Sequence, residues 1–319
     1  MKKILVFSFS FIGDAVLSTA VIQPLQSHFP DAHLTILVGP SASNLLANDP
    51  QIDETLVYDN RSEHRGLKGR LKLINTLRSE KYDLVVNLRD SFVARCIGAE
   101  HWGLVRGDRE RHAVVRYLEV LCKRGVDITD ANPCLQLTET EQSAAFHFLT
   151  DSGVNSEKTI IGIHPGGNWI YKLWNAEKFA QLANALVNKK NATILLFSGP
   201  NERERQTEVA GMMDTAPILV KTANLREVAA LIDKCDIYIG NDTGPMHIAA
   251  AVDTPVVALF GSTHHIRSGP YGEKHTVVQS GMDLGCNPCH PGRNPGGCGA
   301  GSCAVIDGIA VEQVLKLLL

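Results

Sequence analysis

No apolar run in this 319-residue chain reaches the roughly 18 residues that a membrane-spanning helix needs. A strong charge of one sign is also missing. The formal net charge is −3, which does not give the overall field of a nucleic-acid-binding chain. No G-x-G-x-x-G follows the first strand-like segment, so the residues offer nothing for a nicotinamide reading. The eight cysteines do not form a regular framework. Some are scattered through the first two-thirds and the rest cluster near the end, which fits a reducing cytoplasm better than a disulfide scaffold.

What is present is the composition of a globular protein, 44% hydrophobic and 20% charged, long enough for two ordinary domains. It opens with "KKILVFSFSFIGDAVLST". Two lysines before an apolar run imitate a signal peptide, but Asp14 sits where such a peptide stays apolar or small. The alternation in "KKILVFSFS" is better read as a first buried strand. Asp14 can then cap the following helix or act chemically at the strand's carboxyl end.

Beyond this point short β-rich runs alternate with helical ones. Strands are expected over residues 3–8, 33–39, 54–59 and 82–89, with helices between them. A looser, basic stretch covers about 95–135, a helix follows in "ETEQSAAFHFLTDSGV", and "NSEK" reads as a linker. The pattern then restarts with strands at 159–166, 192–199, 217–221, 236–242 and 255–261, and a last helix closes the chain. Repeated βαβ units imply parallel sheets. The expected organisation is two α/β domains, residues 1–155 and 156–319.

Three strand-to-helix turns of the second half carry the chemistry. In "IGNDTGPMHIAAAV", Asn241 and Asp242 end a strand, and Thr243 and Gly244 open a small-residue helix with His247 one turn on. Free amides and the dipole at a helix N-terminus suit an anion. A plain cap by Asp242 or Thr243 explains the spacing equally well. In "IHPGGNWIYKLWNAEKF", Lys172 could meet a phosphate, or could simply be a surface lysine before a helix. In "FSGPNERERQTE", Glu202 either caps the helix dipole or grips a ribose diol, as acidic residues do in dinucleotide folds. Together these turns suggest a nucleotide-diphosphate site.

"SFIGDAVLSTAVIQPLQSHFPDAHLTILVG", "IHPGGNWIYKLWNAEKFAQL" and "IGNDTGPMHIAAAVDTPVVALFGST" resemble the heptosyltransferases of glycosyltransferase family nine, bacterial enzymes that build the lipopolysaccharide inner core. The resemblance implies a GT-B fold, two Rossmann-like domains with parallel sheets facing a cleft, the first for the acceptor and the second for the nucleotide sugar. It implies inverting transfer of a heptose from an ADP-sugar donor to an anionic lipopolysaccharide-core acceptor. Carried over by position, Asp14 matches the general base and Lys172 the phosphate-binding lysine. Asp242, Thr243, Gly244 and His247 match the donor block. Glu202 fits the ribose carboxylate, with Glu204 near enough to compete. No D-x-D-like pair is placed for a divalent cation, so no cofactor is expected for transfer.

Two segments lie outside that pattern. Residues 61–124 hold 15 Lys/Arg against 8 Asp/Glu, an excess that reads either as a solvated face or as contact with an anionic acceptor. Arg106, Arg109 and Arg111 are the expected contacts, and the same charge would suit peripheral attachment at the inner face of the inner membrane. In "GCNPCHPGRNPGGCGAGSC", Cys286, Cys289, Cys298 and Cys303 could hold structural zinc or iron, or be free thiols in a loop. Other readings stay open: a family-nine-like transferase with another nucleotide sugar or a protein acceptor, a nucleotide-binding module without transfer, and a metal or redox sensor.

Overall fold

The computed structural model describes residues 1–104, 110–155, 158–282, 284–285, 289 and 301–319. It divides into two compact α/β units, Met1–Thr138 and Glu139–Leu319.

The first unit is built on a five-stranded parallel sheet: β1 (Lys3–Phe7), β2 (His33–Val38), β3 (Glu54–Val57), β4 (Leu84–Asn87) and β5 (Glu100–Gly103), in the order β3-β2-β1-β4-β5. The central strand takes up the apolar run that follows the opening lysines. Ile4, Leu5, Val6 and Phe7 are fully buried between β2 and β4. A strand covered on both faces needs such an uninterrupted apolar run. The chain leaves β1 toward β2 and β3, then returns to β4 and β5 on the other side. This reversal makes the carboxyl end of β1 a topological switch point, where open α/β sheets take ligands. Asp14 follows there, in the first turn of the helix Ile12–Ser18.

The basic stretch expected to be loose contains two elements, β5 and the helix Ala113–Cys122. His112 caps that helix by accepting the Val114 amide at 3.2 Å.

The second unit carries β6 (Ile160–His164), β7 (Thr193–Phe197), β8 (Ile218–Val220), β9 (Ile237–Asn241), β10 (Val256–Leu259) and β11 (Thr276–Val278). All pair in parallel, in the order β11-β10-β9-β6-β7-β8. The switch point lies between β6 and β9. The helix Ala176–Lys190 starts at Asn175, whose side chain accepts the Glu177 amide at 2.8 Å, and stops at Asn191 in the left-handed conformation, φ 51°. Just before it, Trp174 is fully buried, stacks edge-on against Phe179 and donates its indole N–H to Ile309 O at 3.0 Å. Truncating a core tryptophan of this kind costs about 3–5 kcal/mol.

The expected division at residue 155 differs from the observed one. The helix Glu139–Asp151 belongs to the second unit, because Glu141 accepts from Nε and Nη2 of Arg226 at 2.7 and 2.5 Å. Arg226 is only 2% exposed, and a buried guanidinium requires such a bidentate carboxylate. Among the described residues no helix is long and apolar enough to cross a membrane.

Candidate functional site

The switch point of the second unit brings together residues far apart in sequence. β9 ends at Asn241, whose side-chain amide donates to Pro165 O at 3.0 Å and Gly166 O at 3.1 Å, and whose Oδ1 accepts the Trp174 amide at 3.1 Å. One buried asparagine thus joins the turn after β6 to the end of β9 and satisfies groups that the irregular backbone would otherwise leave unpaired.

Next to it, Lys172 closes a short 3₁₀ turn, Ile170–Lys172. Its Nζ lies 2.6 Å from Asp242 Oδ2 and 3.3 Å from Asp242 O. The Thr263 hydroxyl donates to the same Oδ2 at 2.6 Å. The side chains of Lys172 and Asp242 are only 19% and 7% exposed, so Lys172 is not an ordinary surface lysine. Asp242 is not a helix cap either, since its carboxylate faces Lys172 and Thr263. Thr243 occupies the N-cap position of the helix Gly244–Ala251, yet its hydroxyl bonds to Asn241 O at 3.3 Å and makes no capping bond. Pro245 in the first turn gives up no needed amide. His247 is buried within the same helix.

Glu202 stands at the N-cap position of the helix Arg203–Gly211 without capping it. Its Oε2 accepts from the Gly199 amide at 2.7 Å and lies 2.9 Å from His164 Nε2. Burial tends to raise this carboxyl, but the hydrogen bond and charge of His164, with the amides of Gly199 and Gly167, outweigh burial and hold it below the ordinary range. A Cβ on Gly199 would come within 2.9 Å of the carboxylate, and one on Gly166 closer still, so a side chain at either position would displace Glu202. Glu204 is exposed in the first turn of that helix. His164 itself, and the braces Asn241 and Thr263, were not among the expected site residues. A histidine ending a buried strand before "PGG" was the available signal for the first.

In the first unit, Asp14 is half-buried at the end of β1. The backbone N-cap of its helix is Phe11. Burial and then the Asp14 charge push the Tyr117 hydroxyl well above its usual range, so the carboxylate and Tyr117 share one environment. Phe9 packs on the Tyr117 ring at 5.1 Å between centroids. Asn87, at the end of β4, exchanges hydrogen bonds with Ser91 and lies 3.1 Å from His101 Nε2.

Of the expected acceptor arginines, Arg106 and Arg109 lie outside the described residues. Arg111 is exposed, with Nη1 3.4 Å from Glu119 Oε2. Cys286 and Cys298 also lie outside the described residues. Cys289 packs against the second unit's core and its amide donates to Ser262 O at 2.5 Å. Cys303 is buried in the same core. Among the described residues no group of three His, Cys, Asp or Glu could hold a metal ion.

Residues 103–297 match the model of glycosyltransferase family 9 (heptosyltransferase). The chain is 30% identical to lipopolysaccharide heptosyltransferase 3 of Escherichia coli (strain K12) over 291 residues, covering 82% of this chain and 83% of that protein. It is 26% identical to lipopolysaccharide heptosyltransferase 2 of Salmonella typhimurium (strain LT2), covering 87% and 88%. A solved family 9 glycosyltransferase from Veillonella parvula DSM 2008 superposes with a TM-score of 0.84 at 28% identity, covering 99% of this chain and 95% of that one. The E. coli ADP-heptose lipopolysaccharide heptosyltransferase II shares the fold at a TM-score of 0.75 and 24% identity, covering 100% and 97%.

Proposed function

The chain belongs to glycosyltransferase family 9 as a heptosyltransferase, and from that premise we propose that it moves a heptose from an ADP-heptose donor to a sugar hydroxyl of the lipopolysaccharide inner core, with inversion. The observation that carries this reading is the joined pair of features at the second unit's switch point: a cation held at the mouth of a helix N-terminus, and an ionised carboxylate in a glycine-lined turn. A nucleoside diphosphate presents the matching chemistry, two phosphates and a ribose diol. Lys172 and the amides near Thr243 and Gly244 meet the diphosphate, and Glu202 accepts from the ribose hydroxyls.

The reaction then follows from charge. The acceptor oxygen attacks the anomeric carbon as the bond to the diphosphate breaks, and ADP departs with the electron pair. Asp14 takes the acceptor proton. Lys172 and the helix amides stabilise the charge growing on the leaving phosphate. These fixed groups supply what a divalent cation would otherwise supply, so the transfer is proposed to need no metal. Chelator-treated enzyme therefore retains its turnover, and loss restored by magnesium alone would overturn this point. The acceptor is phosphorylated and lipid-linked, so the basic stretch 61–124 of the first unit, with Arg106, Arg109 and Arg111, is assigned to it. The site of action is the cytoplasmic face of the inner membrane.

The test is a thermal-shift panel of ADP, UDP, GDP, ADP-heptose and UDP-GlcNAc on wild type and Lys172→Ala. A ligand at about 100 times its Kd adds roughly 2.7 kcal/mol of stability. Stabilisation confined to the ADP forms and lost in Lys172→Ala supports the reading. A flat or uridine-favouring panel overturns the ADP-heptose assignment.

A further inference from the structure

Glu202 is held by more than its turn. His164 ends β6 with its side chain 2% exposed, and its Nε2 lies 2.9 Å from Glu202 Oε2 across 38 residues of sequence. Its other ring nitrogen, Nδ1, is buried without a hydrogen-bond partner. A buried imidazole with one nitrogen unsatisfied carries a desolvation penalty, which makes a phenyl or aliphatic side chain the better choice for packing alone. Among the described residues its side chain makes its polar contact with the carboxylate. Glu202 keeps 21% of its side chain exposed, so the histidine grips it from the buried side and leaves its remaining surface to solvent. The Gly199 amide donates to the same oxygen at 2.7 Å, so the carboxylate is held from its turn as well as by the histidine.

From this geometry we infer that His164 is a positioning residue for nucleotide recognition: it holds the Glu202 carboxylate in the one orientation that accepts from the ribose hydroxyls. The inference rests on the reading of Glu202 as the ribose ligand. An ionised carboxylate only accepts, so Nε2 is the ring nitrogen that carries the hydrogen between the two groups. The carboxylate stays ionised and acceptor-only, as a diol requires. A glutamate free to rotate would still carry its charge but would lose alignment with two adjacent hydroxyls.

The experiment compares ADP with 2′,3′-dideoxy-ADP by calorimetric titration on wild type, Glu202→Gln, His164→Leu and His164→Gln, each first checked for cooperative unfolding. Wild type binds ADP at least about tenfold more tightly than the dideoxy nucleotide, a ratio expected of charge-assisted hydrogen bonds. Glu202→Gln lowers that ratio. His164→Leu lowers it as far, by losing ADP affinity while dideoxy-ADP affinity changes less than about twofold. His164→Gln keeps an N–H donor at similar reach and recovers most of the ratio. If His164→Leu does not fold, His164→Asn serves, because its amide is too short to reach and the ratio falls with it. A full ADP preference in His164→Leu or His164→Asn, with affinity unchanged or lost equally for both nucleotides, overturns the inference while leaving Glu202 in place. A full preference in Glu202→Gln, or none in wild type, removes the ribose reading itself, and the positioning role with it.

Discussion

Lys172 Nζ and Asp242 Oδ2 lie 2.6 Å apart at the second unit's switch point, with Thr263 completing the carboxylate's contacts. The lysine is therefore pre-aimed by a buried anion before any ligand arrives. Removing one partner of such a pair leaves the other charge buried alone, at a cost of about 3 kcal/mol. Lys172→Ala should lose that much stability in urea titration and about 10²–10³-fold in turnover. Lys172→Met combined with Asp242→Asn should regain the stability and not the turnover. Turnover restored together with stability would mean that Lys172 has only a structural role.

Glu202 makes stability depend on pH in a defined direction. Its carboxyl is held below the ordinary value, so the folded state favours the ionised form. That contribution is fully present above the unfolded value of about 4.3 and disappears as pH falls through the lowered one. The stability difference between wild type and Glu202→Gln should be constant near neutrality and shrink below about pH 4.3. Denaturant titrations across the acid range check this. A difference that stays level down to the acid transition would show that the carboxylate gains nothing from His164.

Asp14→Asn isolates the proposed base. Turnover should fall about 10²–10⁴-fold while ADP affinity is unchanged, since the carboxylate acts on the acceptor proton and not on the nucleotide. Single-turnover rates and ADP titrations on the same preparation make the comparison. A variant with nearly full turnover would return Asp14 to a structural place beside Tyr117.

Neutralising Arg106, Arg109 and Arg111 together to glutamine should raise the acceptor KM several-fold more than the donor KM, and more so at low ionic strength. Equal changes in both constants would count against an acceptor role for the stretch.

Much of this was readable from the chain. β1, β6 and β9 announce themselves as short apolar runs, and their alternation with helices dictates parallel sheets. Lys172 and Asp242 were both marked, but 70 residues separate them, and only the β6–β9 pairing turns two candidates into a pair. β5 escaped notice because "EHWG" is four residues with only Trp102 buried, embedded among arginines. His164 escaped because its partner is 38 residues away, and a histidine before Pro-Gly-Gly looks like the start of a turn. Periodicity reports burial along one element; it does not report which carboxylate a buried side chain will face.

Arg226 offers a further test of packing. Arg226→Met alone should cost about 3–5 kcal/mol by stranding Glu141, whereas Arg226→Met with Glu141→Leu should recover most of it. Urea midpoints of the three chains decide the matter. A double variant no more stable than the single would mean that the guanidinium's other contacts, and not the ion pair, hold the helix.

The same pair decides where this chain can be cut and rejoined. A hybrid that takes its first half from a relative and its second from this protein, spliced at residue 155, would inherit a foreign Glu139–Asp151 helix and leave Arg226 facing whatever residue stands at 141. A splice between Thr138 and Glu139 carries lock and key in one piece. Shuffled enzymes that pair another first half with this second half should therefore be joined seventeen residues earlier than the sequence pattern advises.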